Sequence, residues 1–405
     1  MSIEVRRLTE RDELAGAVRT FRTAMTGLPP LGAVDDAMIE GLFEPGRAFG
    51  AFHDGQLVGT TNSYSGEIRV PGNAWLPHAA VTHVGVLPTH VRRGVAKTLL
   101  HAQLRAARES GEPLATLRAT EAGIYGNFGY AIANLSVAYE IDRARARLRP
   151  EFRKPSETMF VEPDQAWALQ ARVYASQPDP RSGTISRPRY WWSANASRLS
   201  RSAVPTYVVA HGRPGQETGY VRYRPLDTSA WVASTNRTIV VDDLIAHDDE
   251  TYAALISHLL SVDIAHRIQL PVCPADDLLP WLFTDWRSAS VTNCLDETWL
   301  RLLDTQKALA GRSYEGPDAV VVEIIDPILT DNTVRLRITA DGVGRTHAAA
   351  QIVTDVATAS TVYLGGAKWW QMQHLRRLQV ADASAVAALD RLFSVQRLPF
   401  SGTMF

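Results

Sequence analysis

The sequence predicts a protein of the mixed α/β (α+β) class that is built from three units. Strand-like alternation and helix-like spacing of apolar residues follow each other along the chain, which is typical of sheets covered by helices. The order of elements in residues 1–147 recurs in outline in residues 148–292, whereas residues 293–405 carry a different pattern. A length of 405 residues suits two or three domains of ordinary size.

The first unit begins with an alternating strand over Ile3–Leu8, followed by a helix with an acidic first turn. Two apolar runs flank the turn residues Asp54 and Gly55 and predict a β-hairpin. The stretch Val81–Tyr130 then predicts a strand, a loop rich in Arg and Gly, a helix, a second strand and a short turn that carries Tyr125. Most of the candidate functional residues lie in this stretch.

The loop at residues 91–96, VRRGVA, joins a strand to a helix. Backbone N–H groups at such a helix N-terminus attract an anion, as do the side chains of Arg92 and Arg93, and the helix dipole adds to the attraction. The sequence therefore predicts a pyrophosphate site. A solvated surface pair is the alternative for the two arginines, but Gly94 follows them at a strand-to-helix junction and favours the anion site.

The second unit has a helix, a hairpin, a strand and a helix, but its strand-to-helix junction is acidic. LIAHDDETYAALIS stands where the first unit has LPTHVRRGVAKTLL, so that Asp248, Asp249 and Glu250 replace the arginines and the glycine is absent. A phosphate there would meet carboxylates instead of donors. We interpret the unit as a degenerate duplicate of the first, with chance similarity as the competing explanation.

The third unit is predicted to open with a helix in the segment DETWLRLLDTQKALAG (296–311). Strands at Val320–Ile325, Thr333–Thr339 and Ala349–Val353 and a helix over Asp382–Phe393 follow. The unit contains no phosphate loop, no metal-ligand spacing and no nucleophile elbow. Its end, RLPFSGTMF, is apolar, whereas a free tail is usually polar.

Charge and composition exclude several functional classes. With 42 Lys and Arg against 43 Asp and Glu, the formal net charge is −1, so no overall field recruits nucleic acid or an anionic membrane. Cys273 and Cys294 cannot build a disulfide framework and are not spaced as metal ligands. The charged N-terminus lacks the apolar core of a signal peptide, and no window approaches the length of a membrane span, so we expect a cytoplasmic protein without a metal site.

The first unit resembles a GCN5-related N-acetyltransferase (GNAT) domain. In that fold a loop of pattern Gln/Arg-x-x-Gly-x-Gly/Ala holds the pyrophosphate of acetyl-CoA, and residues 91–96 match it except at Val91. The segment TEAGIYGNFGY (120–130) is similar to a hallmark of the enhanced intracellular survival (Eis) family. The resemblance covers essentially the whole chain and implies tandem GNAT-like domains, the first active and the second degenerate, and a C-terminal α+β domain like sterol carrier proteins (SCP2-like).

The resemblance also implies an activity, which is acetyl-CoA-dependent acetylation of a primary amine of a small molecule. It implies that Tyr125 is the general acid that protonates the CoA sulfur, and that the C-terminal carboxylate of Phe405 is the general base. Family members are hexamers, so a homo-hexamer is expected. The expected acetyl-CoA contacts are Val84, Gly85, Val86, Arg92, Arg93, Gly94, Val95, Ala96, Lys97, Thr120 and Glu121.

The acceptor amine is less well specified. Well-known members of the family acetylate aminoglycosides, and such polycations call for an acidic pocket. The segment FRTAMTGLPP (21–30), which we expect to face the acceptor, contains Arg22 and no acid, and Met404 precedes the terminal carboxylate. Aminoglycosides are therefore one hypothesis, and a less basic or more apolar amine is another.

Structural alternatives stay open for several residues. Tyr125 could be a core aromatic residue beside Phe128 and Tyr130, and His83 could equally be a buried core histidine or a wall of the acceptor pocket. Two other functions compete for the whole chain. One is a non-catalytic acyl-CoA sensor, and the other is a lipid-binding carrier, which rests on the fold of the third unit alone.

Overall fold

A computed structural model describes residues 3–28, 34–152 and 157–405. Their strands are β1 (Glu4–Arg7), β2 (Phe49–His53), β3 (Gln56–Arg69), β4 (Trp75–Val86), β5 (Leu114–Leu117), β6 (Ala131–Ile132), β7 (Leu135–Asp142), β8 (Thr158–Phe160), β9 (Tyr207–Arg213), β10 (Gln216–Pro225), β11 (Thr238–Ala246), β12 (Arg267–Pro274), β13 (Ala289–Asp296), β14 (Trp299–Leu302), β15 (Ala319–Ile325), β16 (Val334–Thr339), β17 (Gly342–Arg345), β18 (Ile352–Asp355) and β19 (Leu378–Val380). Their α-helices are α1 (Arg11–Ala24), α2 (Asp36–Leu42), α3 (Val95–Glu109), α4 (Ala122–Tyr125), α5 (Pro163–Ala175), α6 (Arg189–Ser200), α7 (Asp249–Leu260), α8 (Thr305–Ala310), α9 (Val356–Val362), α10 (Trp369–His374) and α11 (Ala383–Leu392).

By contacts between residues, the chain forms two compact units. We call the first the composite unit, because it combines three segments, Met1–Asn134, Arg181–Asn195 and Asp296–Phe405. The second, the middle unit, comprises Leu135–Pro180 and Ala196–Leu295. The contacts group segments that are distant in sequence, whereas the predicted domains are continuous stretches of sequence. The predicted domain boundaries at 147/148 and 292/293 therefore stay predictions.

The first sheet of the composite unit has the strand order β1-β2-β3-β4-β5-β14-β6. The hairpin between β2 and β3 is confirmed, with Asp54 and Gly55 both at positive φ in its turn. The predicted helix at the start of segment 296–311 is wrong, because Trp299–Leu302 form β14 and the helix α8 begins only at Thr305.

The burial of β14 explains why it was not recognised as a strand. It pairs with β5 on one side and β6 on the other, and all four of its residues are buried. Trp299 packs into one core cluster, while Leu300 and Leu302 pack into another. A strand covered on both faces loses the apolar alternation that identifies strands in a sequence.

Strands β4 and β5 part in the middle of the first sheet. They run parallel, and their pairing extends only from His78 opposite Leu114 to Val81 opposite Leu117. Strand β4 continues to Val86 along β3, and the register between these two strands shifts at His83, which has a φ of 52°. Such a bulge redirects a strand. Beyond Val81 the edge of β4 that faces β5 has no strand partner among the described residues, which leaves room for a ligand.

The C-terminal sheet of the composite unit has the order β17-β16-β15-β18-β19. Residues of this sheet and of α9 and α11 share one core cluster with Ile68, Leu300 and Leu302 of the first sheet. The predicted strands at Val320–Ile325 and Thr333–Thr339 and the helix near Asp382 are confirmed, whereas the strand predicted at Ala349–Val353 forms later, over Ile352–Asp355. The Asp382 side chain caps α11. The composite unit is therefore held together by a continuous apolar core.

The middle unit contains one sheet, in the order β13-β7-β12-β11-β10-β9-β8, with its own core. Its β9–β10 hairpin, β11, α7 and β12 repeat the order of β2–β3, β4, α3 and β5, and β11 pairs with β12 in parallel as β4 does with β5. Strand β7 is the first element of this unit in sequence and takes the place beside β12 that β14 takes beside β5. Across the described residues, no helix is long and apolar enough to cross a membrane.

Candidate active site

A cavity of about 310 Å³ lies where β4 and β5 part. Helix α1, the end of β4, the residues after β5, helix α4 and the C-terminus provide its walls. Of the residues predicted from sequence, those in the wall are Val84, Gly85, Val86, Thr120, Glu121, Tyr125 and Phe405. The fold thus brings the predicted general acid and the predicted general base, which are far apart in sequence, to one cavity.

On the cavity side of β4, the backbone of helix α1 comes close to the strand at Gly85. A Cβ on Gly85 would lie 3.0 Å from Ala24 Cβ and 3.3 Å from Phe21 Cα, so that helix α1 can pack against the strand only because residue 85 is glycine. Backbone N–H groups on the unpaired edge of β4 are free to bind an oxygen atom of a ligand.

The other predicted acetyl-CoA contacts lie at the N-terminus of α3. Gly94 is the N-cap with a φ of 82°, no side chain caps the helix, and the first turn contains no acid. Arg92, Arg93, Gly94 and Lys97 are exposed and available to an anion, whereas the Val95 side chain is buried in the core and only its N–H can bind. Ala96 is partly buried. An uncapped, basic helix N-terminus fits a pyrophosphate group.

Tyr125 ends the short helix α4, which the Glu121 carboxylate caps by accepting the Gly123 N–H at 3.3 Å. The Tyr125 ring packs against Tyr130 and Trp299, with centroids 6.2 and 6.4 Å away, and only 8% of the residue is exposed. Burial raises the pKa of Tyr125 above its usual value near 10. Its hydroxyl therefore stays protonated until a strong base forms beside it. Tyr125 is thus both a core aromatic residue and a cavity residue.

His83 is partly buried and also lines the cavity, so the structure supports its role as a wall of the pocket. Its ring lies edge-on to Phe21 with centroids 4.7 Å apart. Burial lowers the pKa of His83 to about 4, so the imidazole is neutral at physiological pH. Phe21, Ala24 and Met25 of the predicted acceptor-facing segment line the cavity, while Pro29 and Pro30 lie outside the described residues.

Sequence reasoning missed two charged residues near the cavity. Arg118 lines it directly, and its guanidinium pairs with the buried carboxylate of Glu297 at 2.9 Å. A charged residue directly after the apolar strand β5 was the available signal for Arg118. Glu297 lies in the segment predicted to be helical, so nothing connected it with the site. Within the described ranges, no group of three or more His, Cys, Asp or Glu could hold a metal ion.

Comparisons with protein-family models agree with this architecture. Residues 4–133 match an acetyltransferase (GNAT) domain, residues 183–302 match a second GNAT domain, and residues 305–401 match a sterol carrier protein domain. A crystal structure of Eis1 from Mycobacterium abscessus superposes with a TM-score of 0.90 at 41% identity, covering 99% of this chain and 100% of that one. The chain belongs to the Eis family.

Two other relatives are less similar in sequence. An uncharacterised N-acetyltransferase of Streptomyces avermitilis is 31% identical over 100% of this chain and 99% of its own length. The N-acetyltransferase Eis of Mycobacterium tuberculosis is 29% identical over 85% of each chain. The predicted fold, with two GNAT domains and a sterol-carrier-like domain, is confirmed, and so is the prediction of an acyltransferase. The GNAT fold implies acetyl-CoA as the co-substrate.

Proposed function

We propose that this Eis-family enzyme acetylates a primary amine of a small molecule, with Tyr125 as general acid and the Phe405 carboxylate as general base. The observation that supports this proposal is that both residues line the cavity at which β4 and β5 part. Acetyl-CoA supplies the acetyl group as a thioester. In this proposal, N–H groups on the edge of β4 beyond its pairing with β5 polarise the thioester carbonyl oxygen, and α3 with Arg92 and Arg93 holds the pyrophosphate.

The two proposed catalytic groups have complementary proton affinities. Burial raises the pKa of Tyr125, so its hydroxyl is protonated at neutral pH and is available as a donor. Because a thiol has a pKa of about 8.5, below that of a phenol, the proton is donated to the sulfur as the C–S bond breaks and negative charge develops there. A terminal carboxylate with an ordinary pKa of about 3.5 is a weak base. It suffices for an amine with a pKa near 8, which is partly neutral at about pH 7.5, whereas deprotonating a lysine-like amine costs roughly 4 kcal/mol.

The wall that faces the acceptor favours an amine with an apolar body. Phe21, Met25 and Ile124 contribute apolar surface, and His83 is neutral. Of the acidic side chains in the described chain, only Glu121 lines the cavity. A polycationic aminoglycoside would find little charge complementarity here. We therefore place aminoglycosides second, and a panel of aminoglycosides and aryl-alkyl amines, assayed by thiol release from acetyl-CoA, separates the two classes.

Replacing Tyr125 by Phe tests the proposed acid. We expect Tyr125→Phe to lower kcat by about 10²–10⁴-fold while acetyl-CoA binding stays unchanged, because only the proton donor is lost. Tyr130→Phe is a matched control, since Tyr130 is buried nearby and its hydroxyl has no hydrogen-bond partner in the part of the chain that the structure describes. Equal kcat values for the two variants would contradict the proposed role of Tyr125.

The proposal also includes the number of subunits and the cellular compartment of the enzyme. A homo-hexamer is expected from the family, and light scattering of the purified protein measures the number of subunits. The cytoplasmic location stays a prediction, to be checked by cell fractionation.

A further inference from the structure

The C-terminal tail, residues 399–405, is packed and not free. The Phe400 N–H donates to the Ser182 carbonyl at 2.8 Å, and the Phe405 ring packs beside Tyr64 and Tyr190. All of these residues belong to the composite unit. An apolar tail end was noticed in the sequence, but the groups that hold it were not.

The tail backbone is held by one buried carboxylate, that of Glu297, which is only 6% exposed. Its Oε1 accepts the Gly402 N–H at 2.6 Å and the Arg118 guanidinium at 2.9 Å. Its Oε2 accepts the Ser401 N–H at 3.1 Å and a short hydrogen bond from the Asn134 amide. Four donors therefore converge on a single side chain.

Arg118 connects this carboxylate with the end of the chain. Its Nε and one terminal nitrogen donate to the Thr403 carbonyl at 2.9 and 2.6 Å, and its guanidinium lies 5.8 Å from the centroid of the Phe405 ring. The Trp191 indole N–H donates to the Met404 carbonyl at 2.6 Å. Each residue from 401 to 404 is thus bound through its backbone, which fixes the path of the chain up to Phe405.

The energetics indicate a positioning role. Burying an ion pair contributes little net stability, because desolvation offsets most of the attraction, so packing alone does not require one here. A weak base, in contrast, depends strongly on its placement, and a shift of about 1 Å can cost roughly 10²-fold in rate. We propose that Glu297 and Arg118 are positioning residues that hold the Phe405 carboxylate in the active site. This inference rests on the proposed role of Phe405 as the base.

The inference also assigns a function to residues of the second GNAT domain. Glu297 and Trp191 both lie within residues 183–302, which match that domain model, yet in the structure they belong to the composite unit. The second GNAT domain would thus contribute to catalysis through Trp191 and Glu297, which lie near the two ends of its sequence and hold the C-terminal tail.

The first experiment compares two variants that each lose a carboxylate from an ion pair. Glu297→Gln turns one acceptor oxygen into a donor that faces two N–H donors, so the tail should shift. We expect kcat to fall by about 10- to 100-fold, with KM for acetyl-CoA within about twofold of the wild type. Glu112→Gln is the matched control, because Glu112 is 5% exposed and pairs with Arg47 at 2.6 Å without touching the tail. Circular dichroism verifies that both variants fold.

The second experiment repeats Glu297→Gln in a chain that ends at Met404. If Glu297 acts through Phe405, the substitution has no further effect on kcat once Phe405 is absent. An equal fold-loss in both backgrounds, or an effect no larger than that of Glu112→Gln, would overturn the positioning role while leaving the base in place. Unchanged kcat on removing Phe405 would instead refute the proposed base.

Discussion

Helices α3 and α7 occupy the same place in two copies of one topology, but their N-termini differ. The N-cap of α3 is Gly94, which has no side chain to cap the helix. The N-cap of α7 is Asp248, whose carboxylate accepts the Thr251 N–H at 2.7 Å, and Asp249 and Glu250 fill the first turn. The first junction leaves its N–H groups to a ligand, whereas the second satisfies them internally and adds negative charge.

If the first junction binds the pyrophosphate as proposed, the difference assigns the phosphate site to the junction and not to the fold. Both copies keep a strand, a helix and a parallel strand, so the chain topology alone would assign a binding site to each. The acids at Asp248–Glu250 stabilise α7 as a helix and exclude an anion at the same time. The comparison therefore predicts one acetyl-CoA per chain, bound in the composite unit.

Transferring the acidic cap to the first junction should have the largest effect. Gly94→Asp places a carboxylate where the pyrophosphate is expected, and we predict a rise of about 100-fold or more in KM for acetyl-CoA. Gly111→Asp is the matched control, since Gly111 follows the same helix at the same φ of 82° with open space around it. An equal rise in KM for acetyl-CoA in both variants would show that strain from replacing a glycine at positive φ, and not the added charge, weakens binding.

The two units also differ in how they bury histidine. His78 in β4 is fully buried and burial lowers its pKa to about 3, whereas His258 in α7 is partly buried. The unfolded chain binds a proton on His78 below pH 6.5 and the folded chain does not, so the free energy of unfolding falls as the pH drops from 6.5 towards 3. At pH 4 we expect a loss of about 3 kcal/mol from His78.

Urea unfolding at pH 7 and pH 4 measures this loss. In His78→Gln the difference between the two pH values should shrink, while His347→Gln, at an exposed position, should leave it unchanged. An undiminished pH dependence in His78→Gln would assign the acid sensitivity to other groups.

Smaller effects are expected from single arginines of the loop. Arg92→Ala and Arg93→Ala should each raise KM for acetyl-CoA by about 10-fold, the size of one charge-assisted hydrogen bond, and the increase should shrink at high salt. Arg105→Ala, at an exposed position further along α3, provides the control. Identical KM values for all three variants would leave the loop without a role in phosphate binding.

The smallest effect concerns the middle unit. Asp248→Ala removes the cap of α7 and should destabilise this unit by about 1 kcal/mol without changing kcat. Isothermal titration should still find one acetyl-CoA per chain. A second equivalent of bound acetyl-CoA in this variant would contradict this expectation, because it would mean that the Asp248 carboxylate alone had closed a second site.

Local signals predicted the first unit well. The hairpin, the helix after Gly94 and the break in structure at Tyr125, predicted as a turn and found as the short helix α4, follow from turn residues, glycine and periodicity, all of which act within a few residues. The resemblance supplied the architecture. Sequence could not reveal β14 or the role of Glu297, because their partners lie more than a hundred residues away and a fully buried strand carries no periodic pattern.

The position of β14 also has a consequence for how the protein is made. Residues 1–147 are synthesised long before Trp299–Leu302, because the middle unit lies between them in sequence. We therefore expect the edge of β5 that pairs with β14 to stay unpaired until the middle unit has been synthesised. A fragment made of residues 1–147 would keep this edge open and be prone to aggregate.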